Sequence, residues 1–194
     1  FIWYNITGDK MKRTISCVLS AIATAYTIWY MHFGTPYKNS GALSKIGLEH
    51  HGLFAIWGIL TFVALALAIT LAYQKYLKTK AYIPFLAISG VGMILTLTND
   101  FDYDNKVQYF LHCGGSLTFS AVTGITIFLL FLLNYKKGRI FKIFTYITAT
   151  ILIADLICLL IFKETGLIEA LPIFAGYVLL GIVNLRREKV ELTR

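Results

Sequence analysis

Charged residues are scarce in this chain, and their scarcity excludes an ordinary soluble domain. Only 14% of the 194 residues are charged, whereas 57% are hydrophobic. A typical soluble domain carries about a quarter charged residues. The apolar residues occur in long unbroken runs, not with a period of 2 or 3.6 residues, which indicates helices surrounded by lipid. We therefore predict an all-α, polytopic membrane protein.

Cysteine is also scarce, and the motifs of several enzyme classes are missing. The three cysteines, at positions 17, 113 and 158, are isolated within apolar runs, and the sequence has no CxxC pair. This spacing excludes a redox pair and a zinc ribbon. The HExxH and GxSxG motifs are absent too. The net charge of +8 does not indicate nucleic acid as a partner, because basic loops are normal on the cytoplasmic face of membrane proteins.

Six apolar runs are long enough to cross a bilayer. They lie at residues 14–33, 51–73, 81–98, 107–135, 140–162 and 167–185. A helix needs about 20 residues to cross the hydrocarbon core. Pro84 and Pro172 are expected in the first turns of their spans, where a missing N–H costs little. The longest connection, residues 34–49, lies between the first two spans. We thus predict a six-helix transmembrane domain over residues 14–185.

The distribution of basic residues orients these spans. Fourteen of the 18 Lys and Arg residues fall in the N-terminal segment, in the connections after the second and fourth spans, and in the tail. By the positive-inside rule, both termini are cytoplasmic (N-in, C-in). Residues 1–13 are then a cytoplasmic segment, of which 1–10 are either an artificial extension or an interfacial anchor, and residues 186–194 form a basic cytoplasmic tail. A multi-pass protein of a bacterial plasma membrane is expected.

Histidines and most carboxylates gather on the opposite, outer side. All four histidines lie there in this topology, and Asp155 lies inside a span, about two turns below its outer end. A polar group at such depth is costly and is often functional. Packing or a polar rim is the plain alternative. The candidates for catalysis are His112, Asp155 and Asp100, and the candidates for ligand binding are His32, Glu49, His50, His51 and Asp102.

Imidazole and carboxylate side chains are also ligands that zinc accepts. His112, His51 and Asp155 are the candidate metal ligands, and Zn²⁺ is the candidate ion. Without a metal, His112 and Asp155 would serve as general acid and base.

Part of the chain resembles the Frag1/DRAM/Sfk1 membrane proteins and the bacterial DUF998 group. The resemblance rests on residues 99–101, on His112 with the small residues 113–115 after it, on Phe119, and on residues 132–135. It covers about half of the chain. It implies six helices and a functional role for His112. Members of the group are tied to lipid-anchor remodelling, lipid asymmetry and autophagy.

Three functions follow from these observations. The first is a membrane protein whose outward-facing His/Asp pocket binds a membrane lipid and remodels or hydrolyses it. The second is the substrate-binding subunit of a vitamin or solute importer, which would dock onto a membrane-protein partner through small-residue helix faces such as Ala21 and Ala25. The third is a regulatory membrane protein without chemistry.

Overall fold

The computed structural model describes residues 2–186, and this part of the chain is all α, without a strand. Its seven α-helices are α1 (Ile2–Tyr30), α2 (Leu43–Glu49), α3 (His51–Tyr76), α4 (Tyr82–Thr98), α5 (Lys106–Leu133), α6 (Arg139–Phe162) and α7 (Gly166–Leu185). Single turns of 3₁₀-helix lie at Met31–Phe33, Asn39–Gly41 and Tyr135–Lys137. The predicted all-α class is therefore confirmed.

Within the described residues, five stretches of helix are long and apolar enough to cross a membrane: Lys10–Phe33, α3, α5, α6 and α7. Helix α4 coincides with the predicted span 81–98, but its 17 residues make it shorter than the other five. At 1.5 Å per residue it is about 26 Å long, just below the roughly 30 Å of a hydrocarbon core. The chain thus has the build of a membrane-embedded protein.

The predicted helix boundaries are close to the observed ones, with three differences. Helix α1 begins at Ile2, so the predicted segment 1–13 continues into the first span as one helix. The connection 34–49 contains the short helix α2. Pro172 lies well inside α7, not in its first turn, so it cannot donate an N–H to the Ile168 carbonyl. Of the predicted basic tail, residues 187–194 lie outside the described residues.

Polar side chains tie the apolar helices α1, α3 and α7 together in the core. Trp57 Nε1 donates to Thr27 Oγ1 at 3.1 Å, which joins α3 to α1. Asn184 Nδ2 donates to the Ala68 carbonyl at 2.9 Å, which joins α7 to α3. All four residues are buried. Such bonds satisfy groups that lipid or an apolar core would otherwise leave unpaired.

Helices α4 and α5 approach so closely that their backbones touch. A methyl group added at Gly115 would lie 2.6 Å from the Gly92 carbonyl oxygen, and one added at Gly92 would lie 2.7 Å from the Gly115 carbonyl oxygen. Beside this contact, Ser89 and Thr123 share a buried hydrogen bond of 2.6 Å. The two glycines therefore set the distance between the helices, as small residues do in membrane interfaces.

The outer half of α6 stands away from the rest of the bundle. Its buried residues, Phe141, Phe144, Thr145 and Thr148, all lie in the first half of the helix. In the outer half, large apolar side chains are exposed, namely Ile153, Leu156, Ile157, Leu160, Ile161 and Phe162. This separation leaves room between α6 and its neighbours α5 and α7.

Candidate functional site

A cavity of about 310 Å³ fills the space between α5, α6 and α7. Its walls are almost entirely from these three helices, with Ser44, Leu65, Phe101 and Glu164 completing the lining. We predict from the sequence a pocket among spans one, two, four and five. The structure corrects this prediction, because span one (α1) does not line the cavity, span two (α3) contributes only Leu65, and α7 forms the third wall. Neither His50 nor His51, one of which was expected in the lining, takes part in it.

Small residues on α5 make the space. Ser116, Ser120 and Gly124 recur at intervals of four, so they share one face of the helix, and all three line the cavity. A methyl group added at Gly124 would lie 2.5 Å from Leu152 Cδ2 of α6. Larger side chains on this face would therefore fill the cavity or push α6 away.

Ionisable groups line one end of the cavity, which the topology predicted from the sequence places on the outer side, and the remainder is mostly apolar with a few hydroxyl groups. His112 lies six residues into α5, about 9 Å along it, and Asp155 lies seven residues before the end of α6, about 10 Å along it. Both residues line the cavity, as predicted. Away from this end, Ile127 of α5, Leu152 of α6 and Leu179 of α7 line the cavity. The distribution of polar and apolar groups along the cavity therefore matches that of an amphiphile.

His112 is held rigidly at this outer end. It is 2% exposed, and its Nδ1 lies 2.8 Å from the Asn99 carbonyl oxygen at the end of α4. Phe54 stacks on the ring and Phe101 meets it edge-on, with centroids 5.9 and 5.4 Å away. The Nδ1 position must carry the hydrogen, because a carbonyl oxygen only accepts. Nε2 of the neutral ring is then an acceptor, and it has no hydrogen-bond partner among the described residues. The Thr96 backbone lies beside the same ring.

Asp155 lies on the α6 side of the cavity and is half-buried. It makes no hydrogen bond or ion pair with the described residues, and the bond between His112 and Asp155 that a general acid/base pair needs is not formed. The two residues therefore share a cavity without forming a catalytic pair.

Two further carboxylates that were not among the predicted site residues, Glu164 and Glu169, line the cavity. Glu169 of α7 accepts hydrogen bonds from the Leu43 backbone N–H and from Ser44 Oγ, the latter at 3.1 Å, and so caps α2. Glu164 precedes α7 and is half-buried. The signal for Glu169 was present, because it is an ionisable residue near the start of an apolar span.

The remaining candidates lie outside the cavity. Asp100 does not line the cavity; it pairs with His51 (Nδ1 to Oδ1, 3.4 Å), and both side chains are about half exposed or more. His50 packs its ring on Phe33, with centroids 4.8 Å apart. The other three are bound locally or exposed: His32 Nδ1 lies 2.7 Å from the Ile28 carbonyl oxygen, Asp102 accepts from the Asp104 N–H, and Glu49 is exposed.

The predicted zinc ligands are not gathered into one site. His112 and Asp155 line the cavity, whereas His51 is at the surface with Asp100. Among the residues that the structure describes, no group of three His, Cys, Asp or Glu side chains is placed to hold a metal ion. The donor set of the cavity therefore does not fit zinc.

Comparison with protein-family models, with curated proteins and with solved structures finds no significant match to this chain. The resemblance to the Frag1/DRAM/Sfk1 and DUF998 groups stays a prediction.

Proposed function

We propose that this chain is a six-helix membrane protein with both termini in the cytoplasm, and that its cavity binds a membrane lipid from the outer side. The cavity between α5, α6 and α7 carries the proposal, because its ionisable groups lie at its outer end and the rest of its length is mostly apolar, with a few hydroxyl groups. Ligand sites are commonly concave, mostly apolar and equipped with a few polar groups. An amphiphile satisfies both ends of this cavity, whereas a sugar or an ion satisfies only one.

The access route supports a lipid over a solute from water. On α6, the residues beside the cavity lining, such as Ile153 and Ile157, are exposed and apolar. In a bilayer these side chains would face acyl chains. A lipid would therefore reach the cavity sideways past α6, without leaving the membrane.

The orientation is testable by cysteine labelling. Two single cysteines, Asp104→Cys and Lys136→Cys, are placed at exposed positions in a background in which the three native cysteines are replaced by alanine. We expect an impermeant thiol reagent to label Asp104→Cys from outside intact cells and Lys136→Cys only after the membrane is opened. Labelling of both positions from one side would contradict the proposed topology.

Lipid binding is testable by filling the cavity. Ser120→Phe adds a large ring to the cavity wall, and Thr150→Phe makes a matched change at an exposed position of α6 that does not line it. Because overpacking costs about 1–3 kcal/mol, we expect lipid retention to fall roughly tenfold in Ser120→Phe and to stay at the wild-type level in Thr150→Phe. Native mass spectrometry of the detergent-purified proteins measures the retained lipid.

The outcome of this measurement also separates the alternatives. Retention of a vitamin-sized molecule in place of lipid would favour the importer subunit, for which exposed Ala21 and Ala25 on α1 offer a close-packing face. Equal lipid retention by all three proteins would contradict a lipid site in the cavity. That the site also remodels or hydrolyses its lipid stays a prediction.

A further inference from the structure

We infer that the lipid in this cavity carries a protonated amine as its head group on a single alkyl chain. This inference rests on the proposed lipid-binding function and adds the chemical class of the ligand. It follows from which polar atoms at the outer end of the cavity still need a partner.

Those atoms are hydrogen-bond acceptors. The carboxylates of Asp155 and Glu164 make no side-chain hydrogen bond or ion pair with any described residue, and both line the cavity. Nε2 of His112, a side chain that is only 2% exposed, also lacks a partner. With Nδ1–H committed to the Asn99 carbonyl, this nitrogen offers a lone pair. A ligand that meets the two carboxylates must donate hydrogen bonds or carry positive charge.

Positively charged side chains are missing from the same walls. No Lys or Arg of the described chain lines the cavity. Lys45, from the outer connection, bonds to Asn39 and sits over the rings of Phe101 and Tyr103. An anionic head group, such as a carboxylate or a phosphate, would therefore meet the carboxyl groups of Asp155, Glu164 and Glu169 without a counter-charge. An ammonium group has three donors and the complementary charge.

The hydroxyl groups along the cavity do not change this balance. Thr148 Oγ1 already donates to the Phe144 carbonyl, and Thr123 pairs with Ser89. The hydroxyl groups of Ser116 and Ser120 also line the cavity; because a hydroxyl both donates and accepts, they favour neither sign of charge on the ligand. The volume of about 310 Å³ lies at the lower end of known ligand pockets, roughly 300–1,000 Å³. A single chain therefore suits the cavity better than a two-chain lipid.

Competition among three twelve-carbon probes tests the inference. Dodecylamine, dodecanol and laurate share one chain and differ in the head group. They are added in equal amounts to the delipidated protein in a neutral detergent near pH 7, and native mass spectrometry measures the adducts. We expect the amine to be retained about tenfold more than laurate, with dodecanol between them. Asp155→Asn and Glu164→Gln, which preserve size, should bring the amine-to-laurate ratio close to one.

The control is Asp102→Asn, which removes a carboxylate that does not line the cavity and should leave the ratio unchanged. Retention of laurate or dodecanol at least equal to that of the amine would overturn the inference and leave lipid binding intact. A ratio that falls as much in Asp102→Asn as in Asp155→Asn would overturn it as well, because general surface charge would then explain the preference. Failure of all three probes to bind the cavity would contradict the proposed function itself.

Discussion

Gly115→Ala is expected to lower the stability of the protein by about 3 kcal/mol, the upper end of the usual cost of overpacking. The new methyl group would lie 2.6 Å from the Gly92 carbonyl oxygen and 2.8 Å from both Leu95 Cβ and the Thr96 backbone nitrogen. Backbone atoms cannot rotate away as the end of a side chain can, so α4 and α5 must separate. For a chain of this size we expect a fall in Tm of roughly 6–12 °C, measured on detergent-purified protein.

Gly114→Ala is the matched control, since it makes the same change at the preceding residue of the same helix. A methyl group there has no neighbour within 4 Å. Because alanine favours a helix over glycine by about 1 kcal/mol, this variant should be unchanged or slightly more stable. The two substitutions are therefore expected to act in opposite directions. Equal effects on Tm would mean that backbone contact between α4 and α5 does not set their distance.

The helices were predictable from the sequence because five of the apolar runs have the length that a bilayer requires and the sixth, α4, is only slightly shorter. What the runs do not encode is which faces meet. The apolar sequence of α6 does not reveal that only its first half is buried, and that difference creates the cavity. The prediction that His112 and Asp155 face one pocket succeeded because both are polar residues within apolar helices, at similar depth in adjacent antiparallel spans.

The candidate residues in or next to the connections between helices do not line the cavity, for a physical reason. His51 and Asp100 are near the ends of α3 and α4, and their side chains extend to the surface, where they pair with each other. Glu169 was not predicted as a site residue, because its role depends on its hydrogen bond to the start of α2, a helix of seven residues. A loop's path is determined by tertiary contacts such as the Leu167 N–H donating to the Pro36 carbonyl at 3.0 Å, and no periodicity in the sequence reports such a contact.

At the end of the bundle away from His112, the Lys75 side chain of α3 forms hydrogen bonds with the end of α7. Its side chain is buried, and Nζ donates to the carbonyl oxygens of Val183, Asn184 and Arg186 at 2.8, 3.1 and 2.5 Å. The last carbonyls of a helix have no partner within the helix, and they attract positive charge. Lys75 supplies both the hydrogen bonds and the charge, so one of the lysines from which we predict the topology also holds the end of α7.

Lys75→Met is therefore expected to destabilise the protein by about 3 kcal/mol, because hydrogen bonds from a charged donor contribute about 1.5–3 kcal/mol each and buried acceptors would lose their partner. Tyr76, whose hydroxyl group also donates to Val183 at 2.7 Å, limits the loss. Lys80→Met removes the same charge from an exposed position nearby, and its effect should stay within about 0.5 kcal/mol. Thermal unfolding of both purified variants measures the difference. A Tm for Lys75→Met that equals that of Lys80→Met would show that α7 ends without the help of this lysine, and that the positive charge serves orientation alone.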